Sequence, residues 1–266
     1  MLDNPRAPRV KAVAKLSQRG ARSETGLFLL EGPQAVAEAL AYRPQLIVEL
    51  YATPTALERY QDIAATAVDA GVDVEFATED VIAAMADTVT PQGFIAVAHQ
   101  FPTALKEIFT EGPKLVVILE EVRDPGNLGT IIRIADAAGA DAVVITGRSV
   151  DLYNPKVVRS TTGSLFHLPI TVDVELDAVL PHVREAGLQL IAADIKGESL
   201  LDARESGVLA EPTAWLFGNE ARGLDDTARE LADTVVSVPI YGQAESLNLA
   251  TAASICLYAS AFAQNG

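Results

Sequence analysis

KLVVILEEVRDPGNLGTIIRIADAAGADAVVITG, residues 114–147, reads as strand, turn, helix and strand. KLVVILE is a β-branched and apolar run of strand length. Asp124-Pro125-Gly126 has turn chemistry, and Asn127 is placed to cap the helix that follows. NLGTIIRIADAAG spaces its apolar residues helically, and DAVVITG returns to a β-branched run. Further on, LQLIAAD (188–194), TAWLFG (213–218) and DTVVSVPI (233–240) supply more short strands. This alternation predicts an α/β domain with a mainly parallel sheet and helices on both faces. Ligands of such sheets bind outside the carboxyl ends of the strands.

Upstream, residues 24–100 read as a smaller mixed α/β unit. FLLEG (28–32) is a strand ending at a turn glycine, and PQAVAEALAY (33–42) continues helically behind its proline. LIVELYA (46–52), VDVEFA (72–77) and GFIAVAHQF (93–101) are strand-like. ALERYQDIAATAVDAG (56–71) reads as one amphipathic helix stopped by Gly71. FPTALKEIFTEGP, with Pro102, Gly112 and Pro113, is the natural linker. The expected organisation is a basic arm and small domain over 1–100, a linker over 101–113 and a larger domain over 114–266.

Composition narrows the class. Hydrophobic residues make up 49% and charged residues 21%, enough to bury a large core. No apolar run approaches the roughly 20 residues of a membrane span. The opening MLDNPRAPRVKAVAKL lacks the apolar core of a secretory leader. The single cysteine, Cys256, excludes an internal disulfide and a paired-cysteine zinc site. A reducing, cytoplasmic setting without a metal is expected.

The net charge of −16 argues against a nucleic-acid partner until its distribution is considered. Residues 1–23 carry six cations (Arg6, Arg9, Lys11, Lys15, Arg19, Arg22) against Asp3, a local charge of +5. The other 243 residues hold 14 cations and 35 anions, or −21. A basic arm on an acidic body can meet phosphates locally, or it can line a solvated helix. Lys156 and Arg159 in NPKVVRSTTG (154–163) also suit phosphate or ribose contact, as a solvated loop would.

Three stretches place polar residues at strand ends. After KLVVILE come Asn127 and, on an apolar helix, Arg133, a guanidinium that needs a carbonyl or an anion. In AWLFGNEARGL (214–224), Gly218 permits close approach to the backbone and Glu220 puts a carboxylate beyond the strand. In VPIYGQAESLNLATAASICLYASAFA (238–263), Ser246 or Asn248 opens a long helix that is almost free of charge. Each stretch alone is also explained structurally, as a capped helix, a turn or a core helix. His99, His167 and His182 are scattered with no triad-like spacing, and no Gly-rich phosphate fingerprint is present.

Together and in order, NLGTIIR, LFGNEARGL and VPIYGQAESLNLATAASI resemble the three motifs of the SpoU/TrmH branch of the SPOUT methyltransferases. The first half is similar to that family's small RNA-binding domain at LLEGPQAVAEAL and TVTPQGFIAVA. The resemblance implies a trefoil-knotted catalytic domain, an exception to the rule of unknotted chains, and a homodimer. It implies S-adenosylmethionine as methyl donor, with S-adenosylhomocysteine as product. Phe217, Gly218, Val238, Ile240 and Leu247 would contact the cofactor. Asn127, Arg133, Glu220, Ser246 and Asn248 would form the polar active site, and Arg6, Arg9, Lys11, Lys156 and Arg159 would meet RNA.

The implied reaction is methylation of a ribose 2′-hydroxyl, with ribosomal RNA, most simply 23S, favoured over tRNA. That hydroxyl must lose a proton as it attacks. The resemblance offers Arg133 as base, yet an arginine with a pKa above about 12 stays charged. Transition-state positioning suits Arg133 better, and the base is left unassigned. The rivals are a tRNA methyltransferase, an antibiotic-resistance methyltransferase, a non-enzymatic RNA-binding or ribosome-assembly protein on the same fold, and a doubly wound enzyme acting on a small metabolite.

Overall fold

The computed structural model describes residues 1–266. The elements in chain order are α1 (Pro8–Lys15), α2 (Arg19–Thr25), β1 (Leu27–Glu31), α3 (Pro33–Tyr42), β2 (Ile47–Ala52), α4 (Pro54–Arg59), α5 (Gln61–Asp69) and β3 (Val74–Phe76). Then come α6 (Glu79–Met85), β4 (Phe94–His99), α7 (Leu105–Ile108), β5 (Leu115–Glu120), α8 (Pro125–Ala137), β6 (Ala142–Thr146), α9 (Pro155–Thr161) and β7 (Ile170–Val174). The last are α10 (Leu176–Glu185), β8 (Gln189–Ser199), α11 (Leu200–Glu205), β9 (Thr213–Phe217), α12 (Asp226–Glu230), β10 (Thr234–Ser237) and α13 (Leu249–Asn265). No helix is long and apolar enough to cross a membrane.

The chain forms two compact units, Met1–Phe101 with Asp151–His167, and Pro102–Val150 with Leu168–Gly266. The expected linker begins where the first stretch of unit one ends. Residues 151–167, assigned from sequence to the larger domain, pack with the first unit instead. The physical cause is a set of tertiary bonds that no local pattern encodes. Arg22, only 1% exposed, donates to Asp151 Oδ2 at 2.5 and 2.9 Å and to the carbonyls of Leu16 and Ser17 at 2.8 Å. NPKVVRSTTG is therefore not a solvated loop. Asn154 caps α9 by accepting from Lys156 N at 2.9 Å, and Val157, Val158 and Thr161 are buried.

Unit one is built on a four-stranded sheet in the order β1-β4-β2-β3, with β1 and β2 antiparallel to β4 and β3 parallel to β2. Val10 and Val13 of α1 and Val81, Ile82 and Met85 of α6 share a core with Leu29, Tyr51, Ile95 and Val97. The helix expected over 56–71 is split in two. Tyr60, at φ −123° and ψ 62°, leaves helical geometry, and its ring meets Phe94 edge-on with centroids 6.0 Å apart. Gly93, at φ +82°, is the one residue type tolerated at its corner, because a Cβ there would lie 2.6 Å from that of Ala56.

Unit two holds a six-stranded sheet in the order β10-β8-β9-β5-β6-β7, with every neighbouring pair parallel. Its central strands are buried on both faces, which explains their continuous apolar runs. Val116 and Ile118 of β5, with Ala214 and Leu216 of β9, face a core shared with Val179, Leu180 and Val183 of α10. Alternate residues Val117, Leu119, Trp215 and Phe217 are likewise buried on the opposite side. α13 packs against α8 and β9. There Trp215 Nε1 donates to Ser260 Oγ of α13 at 2.9 Å, so both polar groups are satisfied in the core.

Candidate active site

Three loops leave the carboxyl ends of β5, β9 and β10 and bring the sequence motifs together within unit two. In the first, Asp124 rather than Asn127 caps α8, its Oδ1 accepting from Asn127 N at 2.8 Å. Pro125 occupies the first turn, so Asn127 falls at the third helical position, and its side chain is freed from capping. In the third loop Asn248 is the cap of α13, its Oδ1 accepting from Ala250 N at 2.9 Å and Thr251 N at 3.3 Å.

The two asparagines and Glu220 form a relay. Asn248 Nδ2 donates to Asn127 Oδ1 at 3.0 Å, and Asn127 Nδ2 donates to Glu220 Oε1 at 3.3 Å. Glu220 also accepts from Asp124 N at 2.9 Å and Arg123 N at 3.1 Å. Burial works against ionisation of Glu220. The N–H groups of Asp124, Arg123 and its own backbone, with the Asn127 amide, outweigh it and hold the carboxyl below its usual range. A carboxylate so engaged is a weak base and a strong orienting acceptor.

Beside Glu220 lies a cavity of about 430 Å³. Phe217, Gly218, Val238, Ile240 and Leu247 all line it, as do Glu220 and Ser246. Its size and its mixed wall, with apolar side chains beside charged groups such as Asp194, Lys196 and Glu220, suit a small organic cofactor that carries both apolar and charged parts. Gly218 is required here, since a Cβ would lie 2.5 Å from the carbonyl carbon of Gly223. One wall went unrecognised in the sequence. β10 pairs with β8 at Val235–Ala192 and next at Val236–Glu198, so residues between 192 and 198 bulge out of the ladder. Ala193, Asp194, Ile195 and Lys196 line the cavity. Gly197 was the available signal, because a glycine inside a strand marks a bulge; a Cβ there would lie 2.5 Å from the backbone of Val235 and Val236.

Arg133 does not join this cluster. It is exposed on α8, beside the likewise exposed Thr130 and Ala137, and does not line the cavity. Within one chain its charge is solvated and needs no internal anion, contrary to the expectation from the apolar helix. Two of the expected RNA contacts also make ion pairs within unit one. Arg9 pairs with Glu49 at 3.3 Å and Glu75 at 2.5 Å and lies 5.1 Å from the Tyr51 ring centroid. Arg159 pairs with Glu31 at 3.0 Å and Asp87 at 3.1 Å. Arg6, Lys11 and Lys156 are exposed.

The chain is similar to known proteins along nearly its whole length. Residues 114–258 match the SpoU rRNA Methylase family, and residues 7–96 match the MRM3-like substrate binding domain. The chain is 34% identical to the 23S rRNA (guanosine(2553)-2'-O)-methyltransferase RlmP of Bacillus subtilis (strain 168), covering 97% of each chain. It is 32% identical to the 23S rRNA (uridine(2479)-2'-O)-methyltransferase of Streptomyces viridochromogenes, over 92% of this chain and 86% of that one. The AdoMet-bound rRNA methyltransferase from Sinorhizobium meliloti superposes with a TM-score of 0.84 at 33% identity, covering 97% of this chain and 96% of that chain. The family match over residues 114–258, more than half of the chain, together with a relative 34% identical over 97% of its length, places the chain in the SpoU rRNA methylase family.

Proposed function

We propose that this protein transfers the methyl group of S-adenosylmethionine to a ribose 2′-hydroxyl of 23S rRNA. The observation that carries the reading is the Asn248–Asn127–Glu220 relay set at the edge of the cavity. When bound, S-adenosylmethionine supplies an electrophilic methyl on a sulfonium sulfur. Phe217, Val238, Ile240 and Leu247 offer its apolar parts a dry wall, and Gly218 lets it approach backbone. The tight 218–224 loop and the glycine-dependent bulge at Gly197 are the features of this chain that fit such a ligand.

The protein's own groups orient the reaction. Glu220, held ionised, fixes the Asn127 amide, and Asn248 fixes the other end of that amide. Ser246, exposed on the cavity edge, is free to bond the incoming ribose. Holding hydroxyl and methyl within about 3–3.5 Å in line supplies the larger part of such catalysis. Arg133 stabilises the developing alkoxide or grips the adjacent phosphate. Arg6, Lys11 and Lys156 meet RNA phosphates, and Arg9 and Arg159, each already ion-paired, contribute less to that contact.

A homodimer belongs to the same reading. Ile255 and Phe262 of α13 are 39% and 65% exposed, and Tyr258 Oη approaches the Ala137 carbonyl of α8 at 3.4 Å. An apolar face of this kind suits a second copy, which would put Arg133 at the subunit interface. The knotted path implied by the motifs is likewise part of the proposal. Mapping 2′-O-methyl groups in rRNA from cells with and without the gene tests the substrate. A single 23S ribose mark that disappears is expected; an unchanged map refutes the substrate. Arg133→Ala with full methyl transfer and normal folding refutes the role given to that arginine.

A further inference from the structure

The loop that carries Glu220 is fastened to the loop that carries Asn127 by a contact outside the relay. Glu121, the first residue after β5, has φ +53°, a left-handed backbone that is strained for a non-glycine residue. This turn exposes its carbonyl to Asn219, whose Nδ2 donates to it at 2.8 Å. The other end of the Asn219 amide closes its own loop. Oδ1 accepts from Ala221 N at 3.0 Å and Arg222 N at 3.2 Å. The backbone of Asn219 pairs in both directions with Gly223, at 3.1 and 2.8 Å. Glu220 therefore projects from a loop with little freedom, and the Asn219–Glu121 bond, beside an Arg222–Glu121 ion pair between the same two loops, holds that loop against Arg123 and Asp124.

We propose that Asn219 is a positioning residue for methyl transfer: through the left-handed Glu121 carbonyl it registers the Glu220 carboxylate against Asn127. This rests on the assignment of Glu220 and Asn127 to the active site. The strain at Glu121 is explained by it, since an ordinary extended residue there would turn the carbonyl away from Asn219. The loops that Asn219 joins both carry groups of the relay, so a displacement of one moves Glu220 relative to Asn127 without emptying the cofactor cavity.

Asn219→Ser separates the two halves of the amide. A serine Oγ can still accept from the N–H groups of 221 and 222 but cannot reach the Glu121 carbonyl. The full chain carrying this substitution is expected to bind S-adenosylmethionine within twofold of wild type by calorimetry. Its melting temperature should lie within a few degrees and its KM for 23S rRNA within twofold, while kcat falls tenfold or more. Glu121→Ile, which penalises the left-handed backbone, should fall further in kcat than Glu121→Gly, which relieves it. Asn219→Ser with a kcat within twofold of wild type overturns the proposal, provided Glu220→Gln is impaired. If Glu220→Gln keeps full activity as well, the active-site assignment itself fails. Loss of kcat only in step with melting temperature and cofactor binding makes Asn219 structural and overturns the proposal too.

Discussion

Gly218→Ala is the perturbation whose size the structure fixes most directly. An added Cβ would lie 2.5 Å from the carbonyl carbon of Gly223, 2.6 Å from its oxygen and 2.6 Å from Leu224 N. Ordinary contact begins at 3.4 Å, so the shortfall is about 0.9 Å, and every atom met is backbone. No side chain can swing aside. The 218–224 loop must move as a body, although Asn219 and Gly223 hold each other at 2.8 and 3.1 Å. Overpacking of this kind costs roughly 1–3 kcal/mol. Because Glu220 rides on the loop, a shift of about 1 Å should lower kcat on the order of 100-fold. That corresponds to about 2.7 kcal/mol of transition-state stabilisation. The assay is single-turnover methyl transfer to 23S rRNA with purified protein, beside a thermal melt and cofactor calorimetry. A variant with kcat within twofold of wild type and an unchanged melt would show that the loop yields freely, and the geometric reasoning would be wrong.

Arg22→Met removes a buried cation from Asp151 and from two carbonyls, and should cost unit one about 3 kcal/mol. At 2–4 °C per kcal/mol the melting midpoint should fall by roughly 6–12 °C, and an unchanged melt refutes the pairing. Burial pushes the Cys256 thiol up to about 12. The folded protein should resist alkylation at pH 8 and react only after denaturation, as mass spectrometry would show. Glu220 titrates below its unfolded value, so its contribution to stability is present above about pH 4.3 and is lost as pH falls through the folded pKa. The melting difference between wild type and Glu220→Gln should therefore shrink on acidification. A difference that is flat from pH 7 to pH 3 contradicts the bonding assigned to that carboxylate.

Much of the larger domain was legible because its signals are local. β-branched runs buried on both faces can only be central strands, and the helix over 125–137 announces itself by turn chemistry and apolar spacing. The relay residues stand where strands end, but it was the ordered resemblance to the family's three motifs that singled them out, since each alone also reads as a cap or a turn. Caps were less secure. Asp124 and Asn127 both suit a helix start, and the choice of Asp124 depended on Pro125 taking the first turn. The bulge before Gly197 escaped because the apolar run ends at Asp194, whereas β8 continues through the polar stretch IKGES to Ser199. The ion pairs of Arg9 and Arg159 were not legible, because nothing local reveals partners such as Glu75 or Asp87, 66 and 72 residues away.

What the sequence determined by itself is the class of fold, the alternation of strand and helix around its central strands, and the polar residues that stand at the strand ends. Those follow from periodicity and turn chemistry, which act over a few residues. Tertiary structure alone decided that residues 151–167 pack with the first unit, through an Arg22–Asp151 pair spanning 129 positions. It also decided that Asn219 clips one active-site loop to the strained carbonyl of another. The reason is the same in each case. A buried polar group must find a partner, and which one it finds depends on where distant segments meet in space.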